Sequence, residues 1–246
     1  MGDVMIVTGG SRGIGAAIAR GAARQGYAVC ITYARDAQAA DRVLADLHGL
    51  GARALAVRGE VEAEGFAAEV FDRAEAELGP VTALVNNAGI TGRIGAFADT
   101  SVETMRAVLD VNLLGTMMLA QEAVRRWRAA EIAGRIVNLS SVAATLGAPN
   151  EYVAYAAAKA GVDAFTLGLA KEVAPFGIRV NAVAPGTTYT DIHATAGAPG
   201  RPERVVGRVP MGRIGEPDEI ANAVLWLLSA EASYATGTVV RVSGGV

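Results

Sequence analysis

A tyrosine and a lysine stand four residues apart in the run Tyr155-Ala156-Ala157-Ala158-Lys159. On a helix, residues at that spacing share one face, so both side chains reach one place. A free phenol has a pKa of about 10, and a neighbouring ammonium favours the phenolate and lowers it. Such a pair is suited to exchange a proton with a carbonyl or alcohol oxygen. The spacing alone also fits the edge of any amphipathic helix, so the neighbours must decide. Tyr152 is the rival acid, but it lies two helical turns from Lys159 and so farther along the axis.

A second set of residues suits phosphate. Thr8-Gly9-Gly10-Ser11-Arg12-Gly13-Ile14-Gly15 follows an apolar run and precedes a helical one. Glycines at 9, 13 and 15 permit a tight turn and close backbone approach. They leave N–H groups at the helix start free for a pyrophosphate. NAD enzymes often carry an acid at the end of the second strand. Here that end reads Ile31-Thr32-Tyr33-Ala34-Arg35. Two guanidinium groups, Arg12 and Arg35, would suit a 2′-phosphate, so NADPH is the preferred cofactor, with NAD the alternative. Asp36 is close enough in sequence to pair with Arg35.

The elements that must position these residues alternate along the chain. Expected strands are Val4–Val7, Ala28–Tyr33, Ala54–Val57, Ala83–Asn86, Arg135–Leu139, Arg179–Val183 and Val239–Val242. Expected helices are Ile14–Gln25, Ala37–Leu50, Glu62–Leu78, Val102–Leu109, Val111–Glu131, Tyr152–Ala174 and Glu219–Leu228. Ser101 is placed to cap the fourth of these helices. The strands are nearly continuous in apolar residues, which marks strands buried on both faces. The expected fold is α/β: one doubly wound, Rossmann-type domain over 1–246, with a seven-stranded parallel sheet and helices on both faces. The irregular segment Pro185–Pro210 is expected to be a substrate lid. In such a sheet the carboxyl ends of the strands form the ligand crevice. Asn86-Asn87-Ala88-Gly89, Ser140-Ser141 and Pro185-Gly186 all fall there. Adjacent residues on a strand face opposite ways, so one of the two serines should enter the site.

Composition limits the function classes. Of 246 residues, 52% are hydrophobic and 19% charged, enough to fill a large core and unlike a disordered chain. The net charge of −3 gives no electrostatic motive for nucleic-acid binding. The longest unbroken apolar run, Tyr152–Ala158, is far shorter than the roughly 18–20 residues of a membrane span. No signal peptide is expected, because the first strand begins at Val4. The single cysteine, Cys30, fits a reducing, cytoplasmic location. With two histidines, His48 and His193, no histidine-rich metal site is expected. His193 could touch substrate from the lid, although a surface position is the simpler reading.

Taken together, these motifs resemble the short-chain dehydrogenase/reductase family in its compact single-domain branch. The likeness covers Gly9/Gly13/Gly15, Asn86-Asn87-Ala88-Gly89, Asn112 within Val111–Gly115, Ser141, Tyr155, Lys159, Ile178–Asn181, Pro185-Gly186 and Ser243–Gly245. It implies that Tyr155 is the general acid in reduction and the base in oxidation. Lys159 would hold the nicotinamide ribose and depress the Tyr155 pKa, Ser141 would bond the substrate oxygen, and Asn112 would anchor a water behind Lys159. Gly9, Ser11, Arg12, Gly13, Ile14, Gly15, Arg35, Glu60, Val61, Asn87, Ala88, Gly89, Tyr155, Lys159, Pro185, Gly186, Thr188 and Thr190 would bind the cofactor. Among these, Asn87 and Gly89 would line the adenosine-ribose side, and Thr188 and Thr190 the nicotinamide end. Ser140 would be structural. No metal is required.

Two features depart from the family pattern. Glu60-Val61 replaces the usual Asp-Val, which alters the contact to the adenine amino group. Thirteen residues separate Ser141 from Tyr155, one more than in several relatives, and Asn150, Glu151 and Tyr152 among them should line the substrate mouth. The implied activity is hydride transfer between NADP(H) and a carbonyl or secondary alcohol. The substrate could be a 3-oxoacyl carrier protein, although no basic run stands out to dock one, or a sugar or polyol. A cofactor-binding regulator without turnover is the non-enzyme alternative. The family also implies dimers or tetramers, with the apolar C-terminal helix and strand, Trp226 included, in the core or between subunits.

Overall fold

A computed structural model describes residues 2–246; the side chain of His193 lies outside what is described. Seven strands form one parallel sheet: β1 (Val4–Val7), β2 (Ala28–Tyr33), β3 (Ala54–Arg58), β4 (Val81–Asn86), β5 (Arg135–Leu139), β6 (Arg179–Pro185) and β7 (Val239–Val242). They lie in the order β3-β2-β1-β4-β5-β6-β7. The order reverses between β1 and β4, and a crevice opens there beyond the carboxyl ends.

Side chains alternate between the two faces of the sheet. Met5 and Val7 of β1 pack with α1 (Gly13–Arg24), α2 (Ala37–Gly49) and α10 (Pro217–Leu228). Val4 and Ile6 pack on the other face with α3 (Phe66–Leu78), α5 (Gly115–Ala129) and α7 (Val153–Val173). β1 is buried along its whole length and the other inner strands at all but one residue each, as their apolar runs suggest. The edge strands β3 and β7 are only partly buried, because one side of each lacks a neighbour. Trp127 anchors α5: it is 1% exposed and donates its indole N–H to the Val81 carbonyl at 2.6 Å. Beside it, Arg126 pairs with Asp72 and Glu75 of α3 and with Glu122 one turn earlier.

Four expectations are corrected. The helix expected from Glu62 begins at Phe66, because Glu60–Gly65 turns twice and Gly65 takes the left-handed conformation, φ 82°. The two helices on either side of residue 110 are one continuous run, α4 (Val102–Leu109), a π-helical turn (Asp110–Leu114) and α5. Ser101 does cap its start, accepting from the Thr104 N–H. Pro185–Pro210 is not loop throughout: β6 extends to Pro185, and α8 (Ile192–Thr195), α9 (Arg201–Val205) and a 3-10 turn (Val206–Arg208) follow. Trp226, expected in the core or between subunits, is not in the core: it is 47% exposed.

The run Val102–Ala129 has the length and hydropathy of a membrane span by composition alone. However, it buries Asn112, Thr116, Leu119, Ala123 and Trp127 against the sheet and its neighbours. It is a core helix of this fold.

Candidate active site

The glycine turn is built by close contact. A Cβ on Gly15 would lie 2.3 Å from the Gly9 carbonyl oxygen and 2.5 Å from the Asn87 amide, so no larger residue fits there. Gly9 and Gly13 sit at φ +61° and +52°, in the left-handed region that glycine enters without steric cost. The α1 N-terminus has no side-chain cap, so its first N–H groups face the crevice. Thr8 fixes the turn to β4: its hydroxyl accepts from the N–H of Asn87 and of Ala88 at 2.9 and 3.0 Å. Asn87 in turn gives its amide to the carbonyls of Thr8 and Gly9. The Asn87 side chain therefore holds the turn, a use beyond the cofactor contact that the resemblance implied.

One cleft of about 1510 Å³ runs from this turn across the strand ends to the lid. Gly9, Ser11, Arg12, Gly13, Ile14, Gly15, Arg35, Glu60, Val61, Asn87, Ala88, Gly89, Ser141, Tyr155, Lys159, Pro185, Gly186, Thr188 and Thr190 all line it. Asn112 does not; it lies fully buried behind them in the π turn. Thr190 comes within contact range of Gly13, so the start of the lid segment meets the glycine turn. Asp36 does not pair with Arg35. It caps α2 by accepting from the Ala39 N–H at 2.9 Å, and neither Arg12 nor Arg35 has an ion pair among the described residues.

Helix α7 brings the proton-handling groups together, one turn apart as expected. Tyr155 is 9% and Lys159 4% exposed, and the ammonium stands 5.6 Å from the phenol ring centroid. Lys159 donates to the Leu139 carbonyl at 2.6 Å, which ties α7 to the end of β5. Burial disfavours the charged form and brings the Lys159 pKa down to about 8, opposed by the charge of Asp163 one turn later. Burial also pushes the Tyr155 phenol well above its ordinary value. The Ser141 hydrogen bond and the more distant charge of Arg201 pull it back. The expected depression by Lys159 is not among these causes. Desolvation is the largest cause, and the shortest bond of the ammonium goes to a carbonyl.

The two serines divide as the strand geometry requires. Ser141 lies beside Tyr155, whose pKa it lowers, and accepts from the Ala143 N–H. Ser140, 3% exposed, donates to the Lys159 carbonyl and lies near Asp163, whose pKa burial raises and Ser140 and Lys159 lower. Tyr152 ends just before α7 and stacks edge-on against Tyr155 at 5.4 Å. Burial carries its pKa up to about 12.

Behind this group, Asn112 donates to the carbonyls of Ile90 and Val108, while its Oδ1 is buried without a partner. That oxygen faces Gly89, where a Cβ would come within 2.6 Å of it and 3.7 Å of Lys159 Nζ. An orphaned acceptor beside a buried ammonium is a place for a bridging donor. The glycine cradle, the free helix N-terminus and this polar end match the two halves of a dinucleotide, so the residues present fit NAD(P). Among the described residues no cluster suits a metal ion.

Three functional features escaped sequence reasoning. Arg201 of α9 pairs with Glu151 from fifty residues away. The Thr8 clasp and Asp163 also went unnoticed, although Thr8 opens the glycine motif and Asp163 repeats the four-residue spacing of Tyr155 and Lys159.

The family model described as "Enoyl-(Acyl carrier protein) reductase" matches residues 9–246. An uncharacterized oxidoreductase of Escherichia coli strain K12, YgfF, is 42% identical over 98% of this chain and 99% of its own length. The cis-4-hydroxycyclohexanecarboxylate dehydrogenase of Sinomonas cyclohexanicum is 41% identical over 98% and 95%. Among solved structures, a single-residue variant of the actinorhodin polyketide ketoreductase with NADPH superposes with a TM-score of 0.92 at 31% identity, covering 99% of this chain and 97% of that one.

Proposed function

The chain belongs to the short-chain dehydrogenase/reductase family and is an NAD(P)-binding oxidoreductase of CH–OH or carbonyl substrates; on that premise we propose that it moves hydride between NADP(H) and a ketone or secondary alcohol through Asn112, Ser141, Tyr155 and Lys159. The observation that carries this reading is the buried Tyr155, beside Ser141 and one turn from a buried Lys159 at the floor of the cleft. Bound dinucleotide supplies or accepts the hydride. Ser141 holds the substrate oxygen by hydrogen bond. Tyr155 gives that oxygen its proton in reduction and takes it in oxidation. Lys159 holds a ribose hydroxyl and keeps a positive charge near the phenol. Asn112 Oδ1 accepts from a water that refills the proton. Pro185–Pro210 serves as the lid, whose helices exclude water from the cleft.

The test is a panel of ketones, sugars, polyols and acyl thioesters with NADPH or NADP⁺, followed at the absorbance band of the reduced nicotinamide. Oxidation of NADPH by a ketone, or reduction of NADP⁺ by a secondary alcohol, supports the reading; silence across the panel overturns it.

The NADP preference rests on the second strand's tip. The strand ends without a carboxylate to repel a 2′-phosphate, Asp36 is held at the α2 cap, and Arg12 and Arg35 border the cleft unpaired. Arg35→Asp should cut the NADPH-over-NADH affinity ratio about tenfold or more, the size of a charge-assisted hydrogen bond. Titration of both cofactors checks this, and an unchanged ratio refutes the phosphate site.

Asp163 has no place in the reaction but favours the charged form of Lys159 against its burial. In Asp163→Asn the ammonium should lose its proton at lower pH, because its opposing charge is gone. The alkaline limb of kcat/KM for the dinucleotide should move down by about half to one pH unit. A limb that stays in place rules this out.

A further inference from the structure

The outer end of the cleft holds arginines for which hydride transfer has no use. Arg201 is 8% exposed, and its Nε and Nη2 reach Glu151 Oε2 at 3.2 and 2.6 Å. Arg204, one turn further, stands 3.9 Å from the other oxygen of Glu151, with its side chain 58% exposed. One carboxylate is thus shared by two guanidinium groups, and a positive charge is left over. Arg93 and Arg208 line the same cleft and have no ion pair among the described residues; Asp191 is the lid carboxylate that lines it, while Glu203 of α9 is not part of the lining.

This cluster adjoins the chemistry. The Arg201 guanidinium lies over the Tyr152 ring at 5.1 Å, and Tyr152 stacks against Tyr155. A latch between lid and mouth loop accounts for Arg201 with Glu151. It does not account for Arg204, whose planar fork borders the cleft with only a distant share of a carboxylate. Such forks match the two oxygens of a carboxylate or phosphate. Arg201, Arg204 and Arg208 fall within eight residues of the lid, interrupted by Glu203 and apolar residues, and Arg93 joins them from the segment after β4.

We propose that the substrate carries, apart from its reacting carbon, an anionic group that docks on Arg204 and the outer edge of Arg201. This rests on the oxidoreductase reading above. The anion is a carboxylate on a small oxo or hydroxy acid, or a phosphate on the carrier of an acyl thioester.

Binding is measured first, by calorimetry on the NADP⁺-saturated chain, with cyclohexanecarboxylate against cyclohexanecarboxamide. The carboxylate should bind at least about tenfold more tightly. That preference should vanish in Arg204→Gln and reverse in Arg204→Glu, both at an exposed position that tolerates the change. Turnover then separates the sources. 4-Oxocyclohexanecarboxylate favoured over its methyl ester identifies a carboxylate. Acetoacetyl-CoA favoured over the N-acetylcysteamine thioester identifies a phosphate. Equal binding of acid and amide, with equal turnover within each pair, overturns the proposal. Anion-selective binding without turnover of any carbonyl compound supports the subsite and overturns the oxidoreductase reading instead.

Discussion

Tyr155→Phe is expected to lower turnover by about 10²–10⁴-fold, the contribution of a positioned general acid, while dinucleotide still binds. The substitution removes one oxygen. The ring keeps its edge contact with Tyr152 and its place beside the Lys159 ammonium, so the floor of the cleft retains its shape. Stability should change by no more than about 1 kcal/mol, the net worth of one neutral hydrogen bond, since Ser141 is the hydroxyl beside the phenol. Stopped-flow absorbance at the reduced nicotinamide band measures the rate, and calorimetry measures the affinity. Tyr152→Phe is the informative comparison. Tyr152 also reaches the cleft and is a half-buried phenol, but it precedes α7 and faces Arg201. It should keep most of its turnover. Equal rates for wild type and Tyr155→Phe would remove Tyr155 from the chemistry, and a loss confined to Tyr152→Phe would move the acid to the residue that spacing argues against.

The strands and the glycine turn were readable from local pattern, and the departures show what pattern lacks. β1, β2 and β5 have the bounds that their apolar runs suggest, because a strand buried on both faces leaves a continuous signature; β7 keeps its bounds too, although it is an edge strand only partly buried. The α3 start was misplaced because Glu62, Ala63 and Glu64 are good helix formers, and only the left-handed Gly65 stops them. The π turn at Asp110–Leu114 was invisible: one extra residue in a helical turn hardly disturbs apolar periodicity, yet it turns Asn112 inward. Tyr155 and Lys159 were legible because a helix converts sequence spacing directly into proximity. Glu151 and Arg201 were not, since only the folded lid brings α9 onto the mouth loop. The sign of the Tyr155 shift also lay beyond sequence. It depends on how fully the phenol is buried, and desolvation there exceeds every nearby charge.

Lys159→Met should separate function from stability. The methionine approximates the lysine stem but carries no charge, so turnover should fall by about 10²-fold or more as the phenol loses its neighbouring cation. The stability effect has a definite sign. In the unfolded chain the ammonium keeps its proton up to about 10.5, whereas in the folded protein burial releases it above about 8. Between those values the unfolded state binds more protons, so this group makes wild-type stability rise with pH across that window. Below about pH 8 the folded protein bears the whole cost of the buried charge, about 3 kcal/mol from the same shift at the exchange rate of free energy per pKa unit. Lys159→Met has no such group. The stability of wild type relative to the variant should therefore climb by about 3 kcal/mol from pH 7.5 to pH 10.5. The loss of the bond to the Leu139 carbonyl offsets both ends of that range equally and cancels in the slope. Urea denaturation of the two proteins at matched pH values provides the measurement. Parallel stability curves would mean that Lys159 is not a desolvated ammonium, and that the cleft floor is wetter than its 4% exposure indicates. Because kcat/KM for the dinucleotide titrates the same group in the free enzyme, its alkaline limb should begin near pH 8 in wild type, where the stability difference begins to climb. Agreement between the two midpoints would tie one buried charge to both the cost in stability and the catalysis.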